Sequence, residues 1–391
     1  MTASIVVGVF ALILARAFVR GFMEQMLTNQ IGTDVGYIQI HKPGYQADPG
    51  IDNSIESPGL IKEMLEGDST MLRYSERLRT YGLICSAYNS AGVSIVGIIP
   101  NEEKKITTIS QYIVKGEYLG DGTNQIIIST AIAEKLKAGL GDKVVIMASQ
   151  PDGNIGSEGC RVCGIYETSN SGFDQTHVYA SIQTLRQMLN VRNMVSEFVI
   201  DPVRRTMMPV VLDSLRKELQ AVSGPSNRYE IMSYEQMLPL FVMQLGFYDQ
   251  MFYVVYGIIA IALIFGIIDV MLMAVLERTH EFGVAMAVGM SNGKIFRMIL
   301  VEAFLLGIAG TIVGLVIAYF TCLDLSRFGW DLSMFAASLR SWGSGSKIFP
   351  ILLGSDVIKA AVIIPFVTVI GSVYPAMKAI RLHPVDAIRS I

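Results

Sequence analysis

Three groups of residues in the 391-residue sequence have types and spacings that invite a chemical reading. Gly289 to Lys294 (GMSNGK) sets a Gly-Lys dipeptide behind a turn, as phosphate-binding loops do. Cys160 and Cys163 form a C-x-x-C. His41, His177, His280 and His383 offer imidazoles. None of the three carries its chemistry. A phosphate loop needs G-x-x-x-x-G-K-[ST] after a strand, so that backbone amides cradle phosphate and a hydroxyl reaches magnesium. Here the glycines are one residue too close, Lys294 is followed by Ile295, and no strand precedes. The cysteines lie in GCRVCGIY, which reads as a strand, and side chains three apart on a strand point to opposite faces. The histidines fall in four separate regions with no metal-ligand spacing between them. No nucleophile–base–acid set can be assembled, so the chain reads as non-catalytic, with no cofactor and no metal of its own.

Other polar residues stand out because of where they are. Asp269, Glu302 and Arg16 sit within or beside strongly apolar runs, where charge is expensive, is usually paired and marks function. Asp269 is ~10 Å from the end of its helix at 1.5 Å per residue. Arg16 reaching toward it would lock the first two spans. Gly307, Gly310 and Gly314 leave a smooth strip in which Gly310–Gly314 is a G-x-x-x-G. That motif permits close helix approach, either locally or between subunits.

The elements that must position these residues follow from hydropathy. The chain is 51% hydrophobic and 17% charged, with a mean hydropathy of +0.46. Soluble domains carry about a quarter charged residues, so this is a membrane protein with a soluble part. A net charge of −3 without a basic stripe gives no reason to expect nucleic acid. A bilayer core of ~30 Å needs roughly 20 apolar residues in a helix. Met251–Leu276, Ile295–Phe320 and Val357–Tyr374 meet or approach that length. SIVVGVFALILARAFV (Ser4–Val19) supplies a fourth run. Its arginines follow the apolar core, and no small-x-small cleavage site appears, so it reads as a retained helix and not a signal peptide.

The expected division is a first transmembrane helix with its outer extension (1–29), an extracytoplasmic α+β domain (30–245), a second helix (246–276), a connecting segment (277–294), a third helix (295–320), an outer loop (321–356), a fourth helix (357–377) and a tail (378–391). Within 30–245, VGYIQIHK, QIIIS, KVVIMA, RVCGIY and SEFVID read as strands. RTYGLICSAYNSAGVSIVGIIP reads as a hairpin turning at Asn89–Gly92. TAIAEKLKAGLG, SIQTLRQML and MMPVVLDSLRKELQAV read as helices. This domain's edges run straight into the flanking spans, which implies a rigid mounting. Trp330 and Trp342 in the outer loop suit a membrane interface. Arg278, Lys294, Arg297, Lys378, Arg381 and Arg389 place the connecting segment and the tail in the cytoplasm and the large domain outside. Arg16 and Arg20 fit that orientation less well.

The segment LERTHEFGVAMAVGMSNGKIFRMILVEA (Leu276–Ala303) then reads as a short amphipathic helix between two spans. Glu277, Arg278, His280 and Glu281 form its polar cluster. Phe282, Ala285, Met286 and Gly289 form its stripe, and Ser291–Gly293 turns the chain into the third span. A helix fused to two spans moves both when a soluble partner pushes it. The segment resembles the E-R-T-x-E-[FI]-G-x-x-x-A-x-G stretch of the FtsX-like, MacB-type ABC-transporter permeases. YPAMKAIRLHPVDAIRSI resembles that family's P-A-x-x-A-x-x-x-x-P-x-x-A-[IL]-R ending. GFMEQMLTNQIGTDVGYIQIHKPGY resembles the family's join between first helix and external domain, most of all in the lipoprotein-releasing LolC/LolE permeases, and KLKAGLGDKVVI resembles a recurring turn of that domain.

The resemblance implies a four-helix permease of the bacterial inner (cytoplasmic) membrane with a large periplasmic domain. It implies a second permease, identical or related, and a separate cytoplasmic ABC ATPase dimer that binds ATP and Mg. It further implies contact with membrane lipid and with a periplasmic chaperone or adaptor, and no nucleic acid. Glu277, Arg278, Glu281, Phe282, Gly283 and Gly289 would lie at or near the ATPase contact, and motion would pass to the external domain by mechanotransmission. Lipoprotein release is the leading expectation. MacB-like efflux of drugs or peptides and FtsX-like activation of cell-wall hydrolases are the alternatives. The hairpin ASQPDGNIGSEG is shorter than the family's chaperone-recruiting hook, and Asp269 stands where many relatives have Asn.

Overall fold

The computed structural model describes residues 2–67, 72–120, 122–223 and 228–381. The 382–391 tail, with His383, Arg389 and most of the family-like ending, lies outside the described residues. The chain divides into two compact units. The first comprises 2–25, 243–333 and 347–381, and the second 26–242 with 334–346.

Four helices among the described residues are long and apolar enough to cross a membrane. The first is Thr2–Gln30, running on into a π-helical turn at Ile31–Val35. The others are Pro239–Glu277, Asn292–Phe328 and Gly354–Ile380. Each exceeds the span read from hydropathy. The second, with 39 residues, is about 58 Å long at 1.5 Å per residue. The expected boundaries at 29/30 and 245/246 therefore fall inside or beside continuous helix, because hydropathy marks the bilayer and not the end of hydrogen bonding. Within the first unit, glycines set the spacing of the helices. A Cβ at Gly310 would lie 2.9 Å from Ile5 Cγ2, and one at Gly314 would lie 2.9 Å from Val9 Cβ. One at Gly307 would lie 3.1 Å from Thr368. The buried hydroxyls of Thr311 and Thr368 donate back to Gly307 O (2.7 Å) and Ile364 O (2.8 Å), which satisfies them where no water is available.

The second unit is built on a ten-stranded sheet. Its strands are β1 (Ile38–His41), β2 (Leu72–Cys85), β3 (Ser90–Ile98), β4 (Ile113–Gly116), β5 (Gln125–Ser129), β6 (Lys143–Ser149), β7 (Ile155–Tyr166), β8 (His177–Ser181), β9 (Glu197–Pro202) and β10 (Glu230–Ser233). The order is β10-β1-β9-β2-β3-β8-β5-β7-β4, with β6 pairing both β2 and β7. The pairs β3–β8 and β5–β7 are parallel and the rest antiparallel. Strand β2 is the hub. It pairs with β3 along Arg77–Cys85, with β9 along Leu72–Arg77 and with β6 along Gly82–Cys85. Strand alternation divides the core between the two faces. Ile95, Ile126, Ile128 and Cys160 join one cluster, while Val96, Ile127, Tyr166 and Tyr179 join another, against which Cys163 packs. The two cysteines are free and feed different clusters.

Most strands and helices read from the sequence are present. The β2–β3 turn falls at Ser86–Asn89 and not at Asn89–Gly92. Ser86 N donates to Asn89 O (2.9 Å), and Ser86 Oγ accepts from the amides of Tyr88 and Asn89 (3.1 Å each). A local serine turn thus outranks the glycine, which pairs with Leu83 inside β3. The outer loop also divides. Residues 334–346, including Trp342, belong to the second unit, where Arg340 pairs with Glu167 and, at 3.1 Å, with the buried Asp174.

Candidate functional site

The segment between the second and third spans forms a separate helix, Thr279–Ala287. Arg278 is the hinge residue. Its Nε donates to Glu281 (2.9 Å) and its Nη1 to both oxygens of Glu302 (3.3 Å), while its guanidinium lies over the Phe282 ring at 5.6 Å. Glu302 is therefore a tether between the third span and the connecting helix. At the far end Gly289 has φ +100, a conformation in which any residue with a Cβ is strained. Asn292 Nδ2 donates to Ile380 O at 3.4 Å, joining the start of the third span to the end of the fourth.

The stripe read from sequence is divided, with Phe282 turned inward, Ala285 and Met286 partly buried and Gly289 exposed. Phe282 and Gly283 are buried, and Phe282 lies in the span core with Met286 packed against that cluster. They hold the helix down and are not available to a partner. Glu277, Glu281, Val284, Val288, Gly289 and Met290 are exposed, Val288 to 84%. An apolar tip flanked by carboxylates is what the molecule presents. Val284, Val288 and Met290 were missed because an amphipathic helix has no label saying which apolar face is covered.

Arg16 does not meet Asp269. It donates through Nη2 to Asp249 (2.6 Å) and through Nε to Asp356 (3.3 Å), and it lies over Phe252 at 4.5 Å. Arg20 adds a second contact to Asp249 at 3.5 Å and one to Glu24 at 2.8 Å. One buried arginine thus ties the first span to the second and fourth. The expected Asp269–Arg16 lock is wrong in its partner because Asp269 lies on an exposed face of its helix with Phe265 and Met273. Asp249 and Asp356 lie at the ends of apolar runs, where a carboxylate looks like an ordinary boundary residue. Gly310 and Gly314 pack against the first helix of the same chain, so their close approach is within the unit and leaves no smooth strip for another subunit.

A third polar centre lies within the second unit. Arg77 and Arg79 share one face of β2. Arg77 Nη2 donates to Glu103 (2.7 Å), and its Nη1 donates to Glu197 (3.3 Å) and to the backbone oxygen of Asp34. Arg79 Nη2 donates to Asp34 Oδ1 (2.6 Å) and to Glu197 (3.2 Å). The side chains of Arg77 and Glu103 are both fully buried. These acids hold both guanidinium pKa values above the usual range even though burial alone lowers them. His177 stacks on Phe173 at 4.2 Å and lies 3.4 Å from Arg79 Nη1. Burial, with Arg79 beside it, lowers its pKa, and Asp34 opposes that shift only in part. Two arginines at alternate positions of a strand are the one sequence sign of this centre.

Four apolar helices with a large mixed-sheet domain inserted between the first and second define a polytopic membrane protein with an extracytoplasmic domain. Residues 1–215 match the MacB-like periplasmic core domain and residues 253–384 the FtsX-like permease C-terminal domain. The chain belongs to this family, the ABC-transporter permeases of the LolC, MacB and FtsX type. It is 23% identical to the lipoprotein-releasing system transmembrane protein LolC of Neisseria meningitidis, over 99% of this chain and 92% of that one. It is 24% identical to the macrolide export ATP-binding/permease protein MacB of Sodalis glossinidius, over 99% of this chain but 57% of the relative. The solved extracellular domain of the noncanonic ABC-type transporter YknZ from Gram-positive bacteria matches 50% of this chain and 99% of its own, at 16% identity and a TM-score of 0.38.

Proposed function

We propose that the chain is the non-catalytic permease subunit of a LolCDE- or MacB-type ABC transporter in the bacterial inner membrane. In this reading it works with a second permease and a separate cytoplasmic ATPase pair, and it extracts lipid-modified proteins from the membrane. The observation that carries the reading is the match to LolC along 99% of this chain and 92% of that one. In this reading ATP and Mg are bound by the partner ATPase, in keeping with a sequence that carries no phosphate-loop motif.

The mechanism follows from the connecting helix. Val284, Val288 and Met290 form a small apolar tip that a pocket on the ATPase can bury, with Glu277 and Glu281 beside it. Closure of the ATPase pair pushes the tip. Arg278 holds the helix to Glu302, and Phe282 anchors it in the span core, so the push displaces the spans with it. Arg16 ties three of those spans together. The spans then carry the motion to the extracytoplasmic domain without a substrate tunnel through the bilayer.

Purification of the complex with its ATPase, followed by mass spectrometry of co-purified material, tests the reading. Lipid-modified proteins, released on ATP addition, support it. Recovery of an adaptor protein with drug or peptide cargo would favour MacB-like export instead, a second reading motivated by the MacB match across 99% of this chain. Capture of a cell-wall hydrolase with no cargo would point to signalling.

A further inference from the structure

The extracytoplasmic unit grips the incoming helix through a dense set of directional contacts. Residues 26–36 deliver the chain from the first helix through the π-turn Ile31–Val35. Thr108 donates its amide and its hydroxyl to Gly32 O (2.9 and 3.1 Å). Asn170 Nδ2 donates to Gln30 Oε1 (3.1 Å), and Asn29 Nδ2 donates to Gly343 O (3.1 Å). At the centre Asp34 offers its carboxylate to Arg79 and its carbonyl to Arg77. Immediately after, Gly36 has φ +72, and a Cβ there would lie 2.2 Å from Val199 Cγ1. The chain is threaded against β9 with no room for a side chain.

We propose that Asp34 and Arg79 form the force-bearing joint of the permease, the point at which movement of the first helix is handed to the sheet. The inference rests on the force-relay reading above. Three features converge on it. The π-turn closes the first helix, Gly36 N donating to Ile31 O at 2.8 Å, and it carries Asp34 to β2. Strand β2 pairs with β3, β6 and β9, so displacement there reaches more of the sheet than displacement of an edge strand would. The joint is also ionic, with Arg79 buried and Asp34 partly buried. Apolar packing is non-directional and lets surfaces slide, whereas charged hydrogen bonds fix distance and angle. A hydrophobic patch of similar volume would hold the fold as well, but it would resist shear less. A cavity of about 230 Å³ opens beside Asp34, bordered by Gln30, Tyr45 and Arg79 and by Met237 and Leu238 on the outgoing segment. Just beyond that cavity the entering and leaving segments are bonded to each other, Tyr234 N donating to Tyr37 O at 2.9 Å and β1 pairing with β10, so both are fixed to the same edge of the sheet.

The test uses the complete complex with its ATPase in lipid nanodiscs. Spin labels at Tyr88 and Val210, both exposed positions of the extracytoplasmic unit, report its shape with and without ATP. In the unsubstituted complex the label distance changes on ATP addition. In Asp34→Asn and in Arg79→Lys, ATP turnover persists while the distance change is lost, and cargo released per ATP falls about tenfold, the fold-change expected for loss of one charged hydrogen bond. Shielding of Cys160 from maleimide confirms that each variant is folded. Arg79→Lys keeps the charge and loses the forked geometry, so it decides the matter if Asp34→Asn does not fold. Variants that keep both the distance change and the release ratio overturn the joint. An unsubstituted complex that hydrolyses ATP without any distance change overturns the force-relay reading itself.

Discussion

Replacing Arg77 with methionine removes the one cation among the described residues that touches both Glu103 and Glu197, whose side chains are 0% and 3% exposed. Loss of one partner from a buried pair costs about 3–5 kcal/mol, here because Glu103 is left buried without its arginine, while Glu197 keeps Arg79 at 3.2 Å. For a domain of roughly 150–250 residues each kcal/mol moves the midpoint by ~2–4 °C. The Arg77→Met variant is therefore expected to lose about 6–20 °C. Glu103→Gln is the informative companion. The network holds three carboxylates (Asp34, Glu103 and Glu197) against two guanidiniums. Neutralising one acid balances the charge and leaves an amide oxygen to accept from Arg77. Arg77 donates to Glu103 through both Nε and Nη2, so the forked contact is weakened and not lost, at about 1.5–3 kcal/mol, or ~3–12 °C.

The assay can be confined to the extracytoplasmic domain. Cys160 is 1% exposed in its core. In a background with Cys85, Cys163 and Cys322 changed to serine, a fluorogenic maleimide reports the temperature at which Cys160 becomes reactive in the full-length protein. A loss in Glu103→Gln equal to or larger than that in Arg77→Met would refute the account of the network as a set of acids compensated by Arg77.

Other predictions address the remaining elements. Val288→Asp, at an 84% exposed position, leaves the stability of the permease unchanged and abolishes its stimulation of the partner ATPase, measured as ATP turnover in the reconstituted complex. Gly314→Leu forces a side chain into Val9 Cβ and Val6 O at 2.9–3.0 Å, costing roughly 1–3 kcal/mol by overpacking. Gly266→Leu, where a Cβ meets nothing within 4 Å, is tolerated, and thermal aggregation in detergent separates the two. The folded-state pKa of His177 lies below its ordinary value of 6.5, so the unfolded chain binds its proton first as pH falls. Stability from the neutral ring is complete above about pH 6.5 and is lost as pH falls toward the folded-state pKa. Asp34, Arg79, Arg77 and Phe173 are the groups that act on it. His177→Gln flattens that acid limb in the Cys160 assay, and an unchanged limb would remove His177 from the account.

Much of the architecture was readable because its signals are local. Long apolar runs announce spans, since only a helix satisfies its backbone in lipid. Alternation or short apolar runs announced most of the strands, β1 and β5 among them, while β4, β8 and β10 went unread. The polar centres were less legible. A carboxylate looks the same whether its arginine is 4 or 340 positions away. Asp269 attracted attention because it interrupts an apolar run, whereas Asp356, which pairs with Arg16, sits in an unremarkable SD dipeptide. Arg340, in the outer loop between the third and fourth spans, reaches Asp174 through a contact with no local trace.

What the sequence determined alone is the membrane character, the order of spans and inserted domain, the absence of a phosphate loop and the existence of a helix between the second and third spans. These follow from neighbours along the chain, through periodicity, run length and turn chemistry. Tertiary structure decided which face of that helix is open, which aspartates hold Arg16, and that the first helix ends in the grip of Arg77 and Arg79. Those are contacts between residues far apart in the chain. They are selected by which buried charge can find its complement once the helices and the sheet have packed, and nothing in the local order of residues specifies that choice.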